Sequence, residues 1–134
     1  MGYTNYWSGP RVITEDALAD IEKIIAESGV PITGWNGEEG TEPTLTLELI
    51  NINGVGDDSH ENFGVSAEGR GDIDWGFCKT ARKPYDKVVG AILLRIREDS
   101  PQFIISSDGR WGTEWRAARR LFTKVTGRDP IPWN

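Results

Sequence analysis

The sequence predicts an α+β fold: a single domain over residues 1–134, with a mainly antiparallel sheet and about three helices packed on it. Three observations lead to this prediction. A chain of 134 residues is long enough to build one hydrophobic core. Three segments carry apolar residues at helical spacing, and the segments between them alternate apolar and polar residues as strands do. The resulting order is β-α-β-β-(β)-α-β-α.

The first helix is predicted from about Thr14 to Ser28. Thr14 is a suitable N-cap because its hydroxyl can accept a hydrogen bond from a free backbone amide, and Gly29 can adopt the left-handed conformation that ends many helices. A core-facing stripe follows from spacings of three and four residues; it comprises Leu18, Ile21 and Ile25.

Two more helices are predicted in the second half of the chain. One runs from Pro84 to about Asp99, because proline is well tolerated at the first helical position. Its apolar residues cover more than half of the circumference, which predicts a central, buried helix. The last helix spans about Thr113 to Thr126 and is closed by Gly127.

Five segments are predicted as strands. They are residues 2–7, 44–55, about 61–67, 73–78 and the apolar part of 102–109, with a further turn at 69–72. Along the 44–55 segment the apolar positions alternate, and the predicted inward set is Leu45, Leu47, Leu49 or Ile50, and Ile52.

Charge is unevenly distributed along the chain. The formal net charge is −6, yet most of the 21 acidic residues precede residue 76 and most of the 15 basic residues follow residue 75. This split predicts an electropositive face on an acidic protein; the alternative is that the two halves neutralise each other where they touch. The acidic total argues against non-specific nucleic-acid binding, which depends on neutralising phosphates.

Cysteine content and hydropathy predict a cytoplasmic protein. One cysteine excludes an intrachain disulfide and is typical of a reducing compartment. No apolar run approaches the ~20 residues that a membrane span needs, and residues 1–12 lack the pattern of a signal peptide. We therefore expect no membrane association.

The segment FCKTARKPYD, residues 77–86, predicts an anion site. Lys79, Arg82 and Lys83 precede the predicted helix start at Pro84, where partial positive charge already favours anions. The backbone amides of Tyr85 and Asp86 would be free to bind phosphate or carboxylate together with these cations. The alternative is that Asp86, or acids of the first half, neutralise the cluster.

A second polar segment and several aromatic residues complete the predicted site. Ser106, Ser107 and Asp108 follow a predicted strand and would contact the polar part of a ligand, although a simple turn also explains them. Tyr6 or Trp7 would stack on the ligand. Four tryptophans fall outside the helical stripes, which favours a planar, phosphorylated ligand; they are Trp35, Trp75, Trp111 and Trp133.

Catalytic and metal sites are weaker hypotheses. His60 is the only histidine and stands among Asp57, Asp58 and Glu61, a cluster more typical of a solvated turn than of a metal site. Cys78 beside Lys79 could be a reactive thiolate with His60 as base, but single cysteines are more often buried. We therefore predict no catalytic residue, no metal and no cofactor.

Several motifs resemble a family of small uncharacterised bacteriophage and prophage proteins that open with a GYTxYW pattern. The matching segments are GYTNYW, ININGVGDDSHENF, FCKTARKPYDKVVGAIL and IISSDG, which together span nearly the whole chain. The resemblance implies a phage setting, the same fold and location in the host cytoplasm. This chain has Asn5 where the family pattern has a histidine, so histidine-dependent chemistry in the family would be missing here.

These observations predict a non-catalytic binding protein that holds a phosphorylated small molecule, with a nucleotide immune signal as one ligand consistent with a phage setting. An alternative is an inhibitor or adaptor of a host defence protein that binds through Arg116, Arg119 and Arg120. A further alternative is a Cys–His or metal-dependent hydrolase. A homo-oligomer is compatible with any of these functions.

Overall fold

The computed structural model describes residues 2–67 and 75–133 of the chain. Within these residues three α-helices and two three-stranded antiparallel sheets form an α+β fold, which confirms the predicted fold class. The helices are α1 Glu15–Glu27, α2 Asp86–Asp99 and α3 Arg116–Thr126. The strands are β1 Thr4–Ser8, β2 Thr44–Leu45, β3 Leu49–Ile52, β4 Phe63–Ser66, β5 Trp75–Lys79 and β6 Ile104–Ser107. The turn predicted at 69–72 and the first two residues of the strand predicted at 73–78 lie outside the described residues.

The first sheet is formed by strands that are distant in sequence, in the order β5-β1-β6. In the centre of this sheet Asn5 lies opposite Cys78 on one side and Ser107 on the other. Two residues further along β1, on the same face, Trp7 lies between Gly76 and Ile105. These two rows face the core, because side chains alternate between the faces of a strand.

The prediction of a single strand at 44–55 is wrong, because this segment forms two strands of the second sheet. A turn over residues 46–48 divides that segment into β2 and β3, and the Thr46 amide donates to the Leu49 carbonyl at 3.0 Å across the turn. Leu47 and Leu49 are consequently exposed, whereas Ile50 and Ile52 are buried. Alternation alone could not reveal the turn, because its apolar residues continue the same two-residue period.

Helix α1 confirms both predicted ends. The Thr14 hydroxyl accepts from the Ala17 amide at 3.0 Å, and Gly29 adopts a φ of +72°. The buried face is formed by Ala17, Ile21 and Ile24, with the predicted Leu18 and Ile25 half-buried at its margins.

Helix α2 is the central buried helix, as predicted, although it begins at Asp86 rather than Pro84. Every residue from Val88 to Ile96 is buried, and the inner faces of both sheets belong to the same core.

Helix α3 begins three residues later than predicted, and Gly127 closes it with a φ of +74°. None of the described helices is both long and apolar enough to cross a membrane.

Candidate functional site

The residues predicted to form one ligand site are divided between the two faces of the first sheet. Tyr6, Lys79 and Ser106 are exposed on the outer face, whereas Trp7 and Ser107 point to the inner face. Trp7 is only 5% exposed and packs edge-on against Phe63, so its ring is not available to stack on a ligand. The two-residue period of a strand accounts for this division, since neighbours in sequence lie on opposite sides.

The inner face carries a buried hydrogen-bond network centred on Asn5. The Asn5 Nδ2 donates to Asp86 Oδ1 at 2.9 Å, and the Ser107 hydroxyl donates to Asn5 Oδ1 at 2.6 Å. The Thr80 hydroxyl also donates to Asp86 Oδ1, at 2.6 Å. Burial raises the pKa of Asp86, and the two donors and the charge of Arg82 oppose that shift. This network connects the start of α2 to β1 and β6.

The predicted binding role of two backbone amides is only partly compatible with this geometry. The Asp86 amide donates to the Lys83 carbonyl at 2.9 Å, so the expectation that it is free is wrong. Tyr85 is fully buried, and its hydroxyl donates to the Glu61 carbonyl at 2.6 Å. Its side chain therefore belongs to the core.

The basic segment before α2 has an unusual backbone. Ala81 and Arg82 have φ values of +54° and +61°, and the Lys83 amide donates to the Thr80 carbonyl at 3.0 Å, as in a type I′ turn. Left-handed conformations cost residues other than glycine about 1–2 kcal/mol each. The turn places the Arg82 guanidinium 4.5 Å from the centre of the Tyr3 ring.

Acidic side chains lie close to this basic segment. Arg82 Nη1 is 3.7 Å from Glu114 Oε2, and both residues line a shallow hollow of about 290 Å³ together with Lys83 and Asp86. Hydrogen bonds from the Thr113 hydroxyl and from the backbone amides of Arg110 and Glu114 lower the pKa of Glu114 to about 2, so it is ionised at neutral pH. Lys79 lies apart on the outer sheet face. The three cations therefore do not surround one open anion site. The acid that pairs with Arg82 is Glu114 of the second half, rather than Asp86 or an acid of the first half as predicted.

The Ser-Ser-Asp-Gly segment is held as a turn. Asp108 Oδ2 accepts from the Thr4 amide at 3.0 Å, and the Asp108 amide donates to the Thr4 carbonyl at 3.0 Å. The Ser107 hydroxyl accepts from the Gly109 amide at 3.0 Å, and a Cβ at Gly109 would collide with the Tyr3 hydroxyl. Bonds to β1 and to Gly109 thus account for the polar groups of Ser107 and Asp108, while Ser106 remains on the exposed face.

The outer face of the first sheet is aromatic and open to solvent. Trp75, Phe77 and Tyr6 are 56%, 48% and 41% exposed, and Trp75 stacks on Phe77 with 5.9 Å between ring centres. Tyr6 lies directly opposite Phe77 in the strand register. Gly76 is required between the two exposed rings, because a Cβ there would lie 2.7 Å from the ring of Trp7.

A hollow of about 530 Å³ lies where this aromatic face meets the second sheet. Trp75 borders it from β5, and Trp35, which is 63% exposed, borders it from the loop before β2. Asn51 contributes from β3, Asn62 from the loop before β4, and Gly64 from β4. A second hollow, of about 410 Å³, adjoins it at Trp75 and Gly76 and also contains Tyr6 and Ser106.

Two features distinguish the lining of the larger hollow. The Asn51 Oδ1 is shielded from solvent and has no hydrogen-bond donor among residues 2–67 and 75–133. Gly64 leaves open space above β4, since no atom of the described residues lies within 4 Å of where a Cβ would stand. An unpaired buried acceptor is costly, so it commonly marks a place where a ligand or water donates.

Asparagine side chains fix the position of Trp35. The Asn36 amide donates to Asn62 Oδ1 at 2.7 Å, and the same oxygen accepts from Asn53 Nδ2 at 2.9 Å. Asn53 Oδ1 in turn accepts from the Gly54 and His60 amides, at 2.8 and 3.1 Å. Sequence reasoning noted Trp35 and Trp75 only as loop tryptophans and missed Asn51, Asn62 and Gly64. The alternation of residues 49–52 places Asn51 on the face opposite the buried Ile50 and Ile52, and this pattern could have identified Asn51 as a polar residue of the outer face.

Cys78 and His60 do not form a reactive pair. Burial raises the pKa of the Cys78 thiol to about 12, and the thiol contacts the Glu61 carbonyl at 3.4 Å. His60 is exposed and is held through its backbone by Asn53. In the described part of the chain no three His, Cys, Asp or Glu side chains gather in a way that would hold a metal ion.

A comparison with models of protein families, with curated proteins and with solved structures found no match to this chain.

Proposed function

We propose that this protein binds a planar, anionic small molecule of the nucleotide type on the outer side of its two sheets. The observation that carries this proposal is the hollow between Trp35 and Trp75, with the unpaired Asn51 acceptor in its lining. Its volume of about 530 Å³ lies within the range typical of small-molecule sites.

Stacking is the first contribution to binding. Exposed indole and phenyl rings offer flat apolar surfaces, and stacking of a base on an aromatic side chain contributes about 1–3 kcal/mol. Trp75 is already held in orientation by its contact with Phe77, so little side-chain freedom is lost when a ring binds.

The second contribution is hydrogen bonding by amides. Asn51 Oδ1 needs a donor, which an exocyclic amine or a ring N–H of a heterocycle supplies. A ligand that makes this bond satisfies a buried acceptor, so its loss would cost more than that of an exposed hydrogen bond.

The third contribution is the charge of Lys79. This residue follows Phe77 by two positions on the same face of β5, a step of about 7 Å along the strand. Lys79 is exposed and forms no ion pair with the residues the structure describes. A phosphate attached to a ring in the hollow would lie within reach of its ammonium group.

The proposal is tested by titrating the protein with nucleosides and with their monophosphates, using calorimetry. Gly64→Val fills the hollow at a position with open space and a strand backbone, so it should abolish binding without unfolding the protein. Lys79→Ala should weaken binding of monophosphates and leave nucleosides unaffected. Lys23→Ala, an exposed lysine on α1, is the matched control.

The outcomes separate clearly. Loss of binding in Gly64→Val with retention in Lys23→Ala supports the site. Absence of binding of every nucleoside and nucleotide by the folded wild-type protein overturns the proposed function, as does equal affinity in Gly64→Val.

The resemblance to phage proteins implies that the protein would bind its nucleotide ligand during phage infection. A small protein that binds a nucleotide without converting it would lower the free concentration of a nucleotide immune signal in the cytoplasm of the host. Phage infection of hosts that carry nucleotide-signalling defences, with wild type compared with Gly64→Val, tests that role.

A further inference from the structure

We propose that the solvent-facing side of α3 forms a second anion site, which binds a compact molecule carrying several phosphate or carboxylate groups. The site is a hollow of about 640 Å³, distinct from the outer sheet face in every lining residue. Its charged lining consists of Arg116, Arg119, Arg120, Lys124 and Asp129.

Helical spacing places the four cations together. Arg116, Arg119 and Arg120 are three and four residues apart, and Lys124 follows Arg120 by four, so all share one side of the helix. The opposite side packs into the core through Ala118, Leu121 and Phe122. The cationic side is therefore a fixed property of a packed helix.

Two guanidinium groups are oriented by neutral acceptors. Arg116 Nη2 donates to the Gly112 carbonyl at 3.0 Å, and Arg119 Nη1 donates to the Trp111 carbonyl at 2.9 Å. The Arg119 guanidinium also lies 4.8 Å from the centre of the Trp111 ring. Carbonyl groups and rings hold these side chains in place without neutralising their charge, which is the preorganisation that an anion site requires.

The cations have little internal compensation. Lys124 is paired with Glu27 at 3.7 Å, but in the described ranges no carboxylate lies within 4 Å of Arg116, Arg119 or Arg120. Asp129 lines the same hollow without reaching ion-pair distance. The Nε–H of Arg119 is shielded from solvent and has no acceptor among those residues. An oxyanion would relieve the repulsion between the guanidinium groups and use their paired donors.

Size and net charge identify a compact ligand. The helix is 11 residues long, which corresponds to about 16 Å, and Gly112 and Pro130 from outside the helix also line the hollow. The net charge of −6 disfavours a long polyanion, whose affinity depends on many phosphate contacts. Arginine forks match phosphate and carboxylate oxygens in a bidentate geometry. We therefore assign the site to an oligophosphate or polycarboxylate group.

The site is tested by calorimetric titration with inorganic tripolyphosphate and with citrate at low and physiological salt. The double variant Arg116→Gln, Arg120→Gln should lose on the order of tenfold or more in affinity, because it removes two charge-assisted contacts. The control variant Lys23→Gln, Lys87→Gln removes the same charge outside both proposed sites and should stay within about twofold of wild type. Gly112→Leu provides a second test, since a Cβ at Gly112 meets no described atom within 4 Å and the side chain would extend into the hollow.

Each outcome has a defined meaning. Binding of tripolyphosphate alone identifies a phosphate ligand, and binding of citrate with similar affinity identifies a polycarboxylate; either supports the site if the arginine variant loses it. No binding by wild type, or equal loss in the control variant, overturns the proposal. Tighter binding of a hexaglutamate peptide than of tripolyphosphate also overturns it, in favour of docking by an acidic protein segment.

Discussion

At the scale of single residues, Cys78 shows how burial determines the chemistry of a side chain. Its neighbours in sequence, Lys79 and Arg82, would favour a thiolate, but the thiol points to the inner face of the sheet beside the Tyr85 hydroxyl. Loss of solvation raises the pKa of the thiol from 9.0 to about 12, and the hydrogen bond with Tyr85 opposes only part of that shift. A thiol that stays protonated at neutral pH is a poor nucleophile.

We expect Cys78 to make the protein less stable in alkaline solution. Above pH 9 the thiol ionises in the unfolded chain but not in the folded one, so the free energy of unfolding falls as pH rises toward 12. By about pH 10.5 the loss is about 2 kcal/mol. Urea unfolding near pH 8 and near pH 10.5 measures the decrease in the free energy of unfolding between the two pH values. In Cys78→Ala this decrease should be about 2 kcal/mol smaller than in wild type. An identical pH dependence in both proteins would contradict the assigned burial.

The raised pKa of Asp86 also predicts that the stability of the protein depends on pH. Because burial raises its pKa above 3.8, ionisation of this carboxyl opposes folding, and stability falls as pH rises from 3.8 through the raised value. Asp86→Asn keeps an oxygen that accepts from Asn5 and Thr80 and should match or exceed wild-type stability at neutral pH. Asp86→Ala leaves both buried donors unpaired and should cost about 1–3 kcal/mol. Chemical denaturation gives the free energy of unfolding of the wild type and of both variants. An Asn variant as unstable as the Ala variant would contradict the proposed role of the Asp86 oxygen as an acceptor.

At the scale of elements, the contact between α2 and α3 depends on a glycine in the middle of a helix. A Cβ at Gly90 would lie 2.7 Å from the Ala118 Cβ and 3.2 Å from the ring of Trp115. Glycine in a helix is unfavourable by about 1 kcal/mol relative to alanine, so its presence here reflects the close approach of the two helices.

Gly90→Ala should therefore destabilise the protein by roughly 1 kcal/mol, since overpacking of about 1–3 kcal/mol exceeds the gain in helix propensity. Adding Ala118→Gly should restore much of the loss, because it removes the colliding methyl group. Thermal unfolding of the single and double variants measures this coupling. A Gly90→Ala protein that is more stable than wild type would mean that the helices are farther apart than described.

Local signals in the sequence predicted the elements well. The cap at Thr14, the helix ends at Gly29 and Gly127 and the buried stripe of α2 all depend on neighbouring residues, and each is confirmed. Helix α2 begins two residues later than predicted, with Tyr85 rather than Lys83 at the N-cap position. The site was harder to predict because strand register decides which residues share a face. Tyr6 and Trp7 are adjacent in sequence and lie on opposite sides of the sheet.

At the scale of the whole molecule, the charge asymmetry is partly resolved by contacts between helices. Arg95 in α2 is buried and bonds to Asp20 in α1 at 2.7 Å, and Lys124 in α3 lies 3.7 Å from Glu27. The two halves thus neutralise each other where the helices pack. Arg116 and Arg120 on α3 remain without such partners in the described residues, which leaves an electropositive surface on that helix.

The hollow between the two sheets is also a property of the whole fold. Trp35 precedes β2 and Trp75 begins β5, so only the packing of the two sheets brings them to one site. The sequence contains both tryptophans but no local signal that they meet.

The central claim is that the ring of a nucleotide binds between Trp35 and Trp75. The most direct measurement is the heteronuclear NMR spectrum of the tryptophan indole N–H groups during a nucleotide titration. We expect the Trp35 and Trp75 signals to shift with saturation and these shifts to vanish in Gly64→Val, whereas any shift of Trp111, which lies beside Arg119 of the α3 site, should persist in that variant. Unchanged Trp35 and Trp75 signals at saturating nucleotide would contradict the claim.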